Sequence, residues 1–155
     1  MIILGIDPGS TRVGYGVIEK NRGELVYVRS GLFKIPKKSE SQKLLALEKE
    51  LNGLIKKIKP DKAGLEKLFF VKNQKTAFEV AQSRGIILNT LSKKRIPIIE
   101  LAPSEIKLAV TGDGRASKQA VAKMVRYFLN LPYNKTIDDI TDALAIAITI
   151  SAGTY

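Results

Sequence analysis

Apolar residues recur along this chain in two rhythms, one of strands and one of helices. Ile2-Ile3-Leu4-Gly5-Ile6 is a short apolar run closed by Asp7-Pro8-Gly9, the pattern of a buried strand that ends in a turn. Val13 to Ile18 returns as an antiparallel partner. Asn21-Arg22-Gly23 supplies a second turn, and Glu24 to Phe33 alternates as a third strand. After a polar connection over 36–41 the rhythm changes. Leu44, Leu47, Leu51, Leu54, Ile55 and Ile58 recur at three- and four-residue steps, which predicts an amphipathic helix stopped by Pro60. Ser39 with Gln42 predicts a capping box at its start. Strands over Ala63–Leu68 and Ile96–Leu101 alternate with helices over Lys75–Leu91, Pro103–Val110 and Lys118–Leu129, and a last helix runs from about Ile137 to Ser151. The order βββαβαβααα predicts one domain, an α/β fold with a mixed sheet covered by helices.

Composition narrows the chemistry. The 155 residues suffice for one domain with a substantial core. With neither Cys nor His, the chain has no disulfide, thiol nucleophile, imidazole base or usual zinc ligand. Hydrolysis must therefore run on carboxylates, with a hard cation such as Mg²⁺ or Mn²⁺. The 26 Lys and Arg against 15 Asp and Glu leave a net charge of +11, which favours a polyanionic partner, most simply nucleic acid. No apolar run reaches the roughly 18 residues that span a bilayer, and no signal peptide precedes the first strand. A cytoplasmic protein without membrane association is expected.

Three places carry candidate carboxylates. Asp7 ends a buried strand, where open α/β sheets bind ligands. Gly14 and Gly16 on the next strand remove side chains beside it, leaving room for a ligand to approach the backbone. Taken alone, Asp7 reads more readily as a turn residue. Glu66 is a charge inside an otherwise apolar strand, which needs a metal or a partner, or else marks an edge position paired with a lysine. Asp138, Asp139 and Asp142 open the last helix, and either Asp139 or Asp138 shares a face with Asp142. Thr136 with Asp139 fits a capping box, whereas Asp142, ahead of Ala-Leu-Ala-Ile, is harder to explain structurally. Carboxylates from two strands and a helix can hold two Mg²⁺ ions roughly 3.5–4 Å apart, the arrangement of two-metal phosphodiester hydrolysis.

These motifs together resemble the RuvC family, the crossover junction endodeoxyribonucleases of bacteria. Gly5-Ile6-Asp7-Pro8-Gly9-Ser10 with Gly14-Tyr15-Gly16 is similar to the family's opening. Glu66 with Phe69, Lys72-Asn73 and Gln82-x-Arg84-Gly85 is similar to its middle motif, and Asp139-x-x-Asp142-Ala143-Leu144-Ala145 to its last. The likeness spans nearly the whole chain in order. It implies a ribonuclease-H-like, five-stranded mixed sheet with helices on both faces, and a homodimer. It also implies Mg²⁺-dependent cleavage of four-way (Holliday) junction DNA, with the RuvA-RuvB branch-migration complex as partner.

By the same resemblance Asp7, Glu66, Asp139 and Asp142 form the catalytic and metal-binding tetrad, with Asp138 the rival to Asp139. Lys107 and Lys118 fall where the family places basic residues near the scissile phosphate. Phe69 is the ring implied to stack on an unpaired base, with Phe70 the core candidate of the pair, and Lys72, Asn73 and Arg84 contact DNA.

Two rivals come from other classes. Gly-Ile-Asp-x-Gly-Ser-Thr also occurs in actin-like kinases, but the chain lacks a second lobe and a second Gly-rich phosphate loop. A non-catalytic junction-binding protein would use the same basic face, but would gain from losing carboxylates near phosphate.

Overall fold

The computed structural model describes residues 1–9, 12–36, 38–68, 74–132 and 138–153. Strands β1 (Ile2–Pro8), β2 (Val13–Asn21) and β3 (Glu24–Leu32) form an antiparallel meander. Helix α1 (Glu40–Ile58) leads to β4 (Lys62–Glu66), and α2 (Gln74–Lys93) to β5 (Ile98–Leu101). Helices α3 (Pro103–Thr111), α4 (Lys118–Leu129) and α5 (Asp138–Ala152) complete the chain. The sheet order is β3-β2-β1-β4-β5, with β4 and β5 parallel to β1. It is a mixed five-stranded sheet with helices on both faces. Among the described residues no helix is long and apolar enough to cross a membrane.

The period-two alternation of β1 sorts its residues between two cores. Leu4 and Ile6 join Val13, Tyr15 and Val17 of β2 and Ala63 and Leu65 of β4 beneath α1 and α2. Ile3 and Ile18 face the other way, toward α3, α4 and α5. Gly5, Gly14, Gly16 and Gly64 lie on that second face, where α5 comes closest. A Cβ on Gly5 would overlap the Ala143 carbonyl oxygen, and one on Gly14 the Asp139 carbonyl oxygen. On Gly16 it would lie 2.7 Å from Leu144, and on Gly64 2.7 Å from Ile146. Thus the space left by the glycines is filled by a helix, not by a ligand as the sequence suggested. Helix α5 is buried from Ala143 to Ser151, between the sheet and helices α3 and α4, which explains its apolar run. At its C-terminal end Lys62 Nζ donates to the Ile150 carbonyl oxygen at 2.5 Å and Lys20 Nζ to that of Ser151 at 2.7 Å. Two strand lysines thereby satisfy carbonyls that the helix itself leaves open.

Several expected boundaries shift. Strand β4 ends at Glu66, because its partner β5 offers only four residues; Leu68 lies outside it and is exposed. Strand β5 starts two residues late: Arg95 takes a positive φ in a tight turn that returns the Ile96 amide to Leu91, and Pro97 has no amide to give. The expected Ser39 capping box does not form. Ser39 is the N-cap residue, but its hydroxyl meets Ser41 Oγ at 3.3 Å and accepts no helix amide. Thr136 lies outside the described residues.

If the glycine row exists to seat α5, Gly5→Val must force helix and strand apart. We expect a loss of about 3 kcal/mol or more, the upper end of overpacking costs, because the obstacle is backbone on both sides. Thermal or urea denaturation reads it directly; unchanged stability would contradict the packing described.

Candidate active site

Strand register brings the first two carboxylates together. Ile6 pairs with Leu65 between parallel β1 and β4, so one step onward Asp7 and Glu66 stand side by side at the strands' C-terminal ends. Both positions fall on the α5 face. Asp7 also pairs with Gly14 across β2, and the backbone of Asp139 rests on Gly14. Asp142 follows one turn along α5. As a result Asp7, Glu66, Asp139 and Asp142 line one cavity of about 350 Å³, together with Lys107 of α3 and Lys118 of α4. Asp138, the alternative to Asp139, is exposed at the start of α5 and is not part of that lining.

The site is electrostatically tense. Burial, then the charges of Asp142, Glu66 and Asp139, raise the Asp7 pKa from 3.8 to about 7, against a partial offset from Lys118. Burial also pushes Glu66 and Asp142 upward, Glu66 feeling Asp142 and being relieved by Lys118 and Lys107. Lys118 is held above its usual range, chiefly by the Asp142 carboxylate, to which its Nζ donates a hydrogen bond at 3.3 Å. Arg12 Nε lies 3.2 Å from Asp139 Oδ2, in ion-pair contact but outside hydrogen-bond geometry, so among the described residues this buried oxygen finds no hydrogen-bond donor. Among the described residues no three carboxylates are drawn close enough to form a ready-made metal cage. Asp139 and Asp142 are instead turned onto Arg12 and Lys118.

Two residues that support the site from outside the cavity lining were missed at the sequence level. Arg12 gave no signal beyond its place after the turn that follows Asp7. Glu100 sits in β5 opposite Leu65, on the face of α1 and α2, where it pairs with the Arg84 guanidinium. Arg84 also donates to the Glu66 backbone carbonyl. Its side chain is only 8% exposed, so this arginine, expected on DNA, instead ties α2 to the ends of β4 and β5 behind Glu66. Its long side chain reaches two acceptors at once, the Glu66 carbonyl and the exposed Glu100 carboxylate, which satisfies a buried guanidinium. Phe69, Phe70, Lys72 and Asn73 lie outside the described residues.

Residues 3–150 match the family described as Crossover junction endodeoxyribonuclease RuvC. The chain belongs to the RuvC family. A relative of that name from Petrotoga mobilis is 45% identical over 148 residues, covering 95% of this chain and 91% of its own. The solved structure of T. thermophilus RuvC in complex with Holliday junction substrate superposes with a TM-score of 0.90 at 28% identity, covering 97% of this chain and 93% of that one. The yeast mitochondrial resolvase Ydc2 shares the fold at TM-score 0.66 and 16% identity, over 95% of this chain and 77% of its own. The mixed sheet is thus the ribonuclease-H-like sheet of RuvC and its structural neighbours, and the carboxylate cavity lies within the matched RuvC region.

The raised carboxyl pKa values set a direction for stability in metal-free solution. The Asp7 pKa is higher folded than unfolded, so the folded state holds the extra proton between pH 4 and about 7. Stability tied to this group is complete below pH 4 and is lost as pH rises through 7. The loss is on the order of a few kcal/mol. Asp7→Asn is therefore expected to raise the denaturation midpoint of the metal-free protein at pH 8 and to lose that advantage at pH 4. Equal effects at both pH values would remove the electrostatic account.

Proposed function

We propose that this chain resolves four-way DNA junctions by paired symmetric nicks, leaving 5′-phosphate and 3′-hydroxyl ends. The observation that carries the reading is the convergence of Asp7, Glu66, Asp139 and Asp142 on one cavity of a strongly basic RuvC-family protein. A site of like charges that burial and repulsion raise toward neutrality, with one buried carboxylate oxygen lacking a hydrogen bond, fits a cationic cofactor. These four residues would hold divalent ions, Mg²⁺ with Mn²⁺ as substitute and two per site. A bound pair of that kind lowers the pKa of water and stabilises the leaving oxygen in phosphodiester hydrolysis.

Most of the remaining residues would act on the DNA. Lys107 and Lys118 face the same cavity and would neutralise charge on the phosphoryl oxygens, Lys118 exchanging Asp142 for phosphate as the carboxylate turns inward. Arg84 holds Glu66 in place from behind. In this reading Phe69 stacks on an unpaired base, with Phe70 toward the core and Lys72 and Asn73 on the backbone. A two-fold homodimer would present two sites to strands of like polarity, so that paired nicks give ligatable duplexes. The RuvA-RuvB complex would deliver the junction. The actin-like kinase and the non-catalytic binder are both disfavoured by membership in a nuclease family, and the binder also by the retained carboxylates.

The test is nicking of a synthetic four-way junction, with linear duplex as control and Mg²⁺ present or chelated. Symmetric, metal-dependent nicks on the junction alone are expected. Asp7→Asn should slow cutting by at least about 100-fold, the scale of losing one charge-stabilising group, with junction affinity retained. A mutant that still cut at the wild-type rate would falsify the assignment.

A further inference from the structure

On the sheet face opposite the carboxylates, a groove of about 410 Å³ runs between β3 and α1. Its lining is unusual for a surface where charges of both signs mix. Arg29 and Lys34 reach it from the third strand and the segment after it. Lys49 and Lys57 reach it from α1, against the single carboxylate of Glu50. Among the described residues no acid pairs with any of these four cations, although Lys43 and Lys93 find Glu40 and Glu48 nearby. Glu50 points instead to the Lys34 amide, at 3.5 Å.

The geometry between the cations is specific. Lys49, Gly53 and Lys57 are spaced i, i+4 and i+8, so they form one stripe along α1. Gly53 is a poor residue for the middle of a nineteen-residue helix, and no packing explains it: a Cβ there would meet nothing within 4 Å. The stripe is therefore a notch with a lysine at either end. Its floor is aromatic. Tyr15 and Phe33 pack at 4.9 Å, and the Arg29 guanidinium lies 5.9 Å over the Tyr15 ring, which holds that cation at the groove without an acidic partner. The groove is of a size that takes a ligand larger than a bare ion.

We propose that this groove is a second phosphate-binding site, which takes the phosphodiester backbone of a junction arm or a free phosphate compound by the same contacts. The DNA source rests on the proposed nuclease function. Groove and cavity lie near the same end of the sheet: the end of β3 pairs with the start of β2 beside Asp7, two strand spacings or about 10 Å along the sheet from the carboxylates, with the sheet's edge to be rounded between its two faces. A strand leaving the cavity could pass over the β3 edge into the groove. A cleft at this place would extend the footprint without touching the cleavage chemistry.

Two full-length variants test it. Lys49→Gln/Lys57→Gln removes the charge and Gly53→Met fills the notch. Because Met is a better helix former than Gly and enters open space, Gly53→Met should fold at least as stably as the wild type, which separates binding from structure. Junction affinity is measured over a range of salt in the absence of divalent metal, and inorganic phosphate is titrated separately by NMR. If the groove holds DNA, the double variant binds junctions about tenfold more weakly, with a salt slope shallower by about two. Gly53→Met also weakens binding, and nicking at saturating junction stays at the wild-type rate. Unchanged junction binding with lost phosphate binding assigns the site to a free phosphate compound. If neither variant alters either titration, the proposal is overturned. A wild type that cuts no junction would end the nuclease reading, while the phosphate titration would still decide the groove.

Discussion

Backbone-to-backbone contact between α5 and the sheet is the constraint on which the rest depends. A helix normally rests on a sheet at the distance its side chains impose. Here Gly5, Gly14, Gly16 and Gly64 withdraw theirs on three adjacent strands, and Ala143 and Ala147 of the helix do likewise over Gly5. The approach places the first turns of α5 within reach of the ends of β1 and β4. Two carboxylates on a helix and two on strands can then share one cavity. The same packing holds α5 between two layers, with Lys20 and Lys62 on its last carbonyls and its acidic first turns at the opposite end, in the carboxylate cavity. The macrodipole favours that polarity, with negative charge at the N-terminus and cations at the C-terminus.

Gathering four acids at a half-buried place opposes folding in the absence of a counter-charge. The molecule moderates this with Arg12 on Asp139 and Lys118 on Asp142, both exposed enough to swing away. The pairs contribute little to stability by themselves. What they do is hold Asp139 and Asp142 in ion pairs with exposed, basic side chains at the edge of the cavity. Arg84 behaves differently. Enclosed, and bonded to a carbonyl and a carboxylate, it secures the backbone that carries Glu66, so the site rests on a rigid strand end.

Much of this was legible in the sequence, for physical reasons. Among the described residues, apolar runs, alternation and three-to-four spacing placed the elements within a few residues, because a helix such as α1 buries one face and a central strand such as β1 buries both. Glu66 stood out as a charge inside an apolar strand and Asp142 as a carboxylate heading an apolar helical run, whereas Asp7, taken alone, read as a turn residue. The likeness to RuvC motifs brought the distant segments together, which periodicity alone cannot do. The misreadings share a cause. Gly14 and Gly16 suggested room for a ligand, and Arg84 suggested a surface contact, because a single chain does not say what packs against a vacancy or which cation is enclosed. Arg12 and Glu100 carried no pattern at all; an ion pair with Asp139 shows the first and strand register the second. The stripe Lys49, Gly53, Lys57 was equally silent, since one glycine in a lysine-rich helix stands out only once nothing is found above it.

The central claim of the proposed function is that the carboxylates gathered by α5 and the strand ends take up a cation in the protein alone, before DNA arrives. Mn²⁺ titration of the DNA-free protein, followed by electron paramagnetic resonance, tests it most directly. The account predicts saturable binding that is lost when Asp7 or Asp142 becomes the amide and kept when Asp138 does. Binding unaffected by Asp7→Asn and Asp142→Asn, or lost on Asp138→Asn alone, would contradict it.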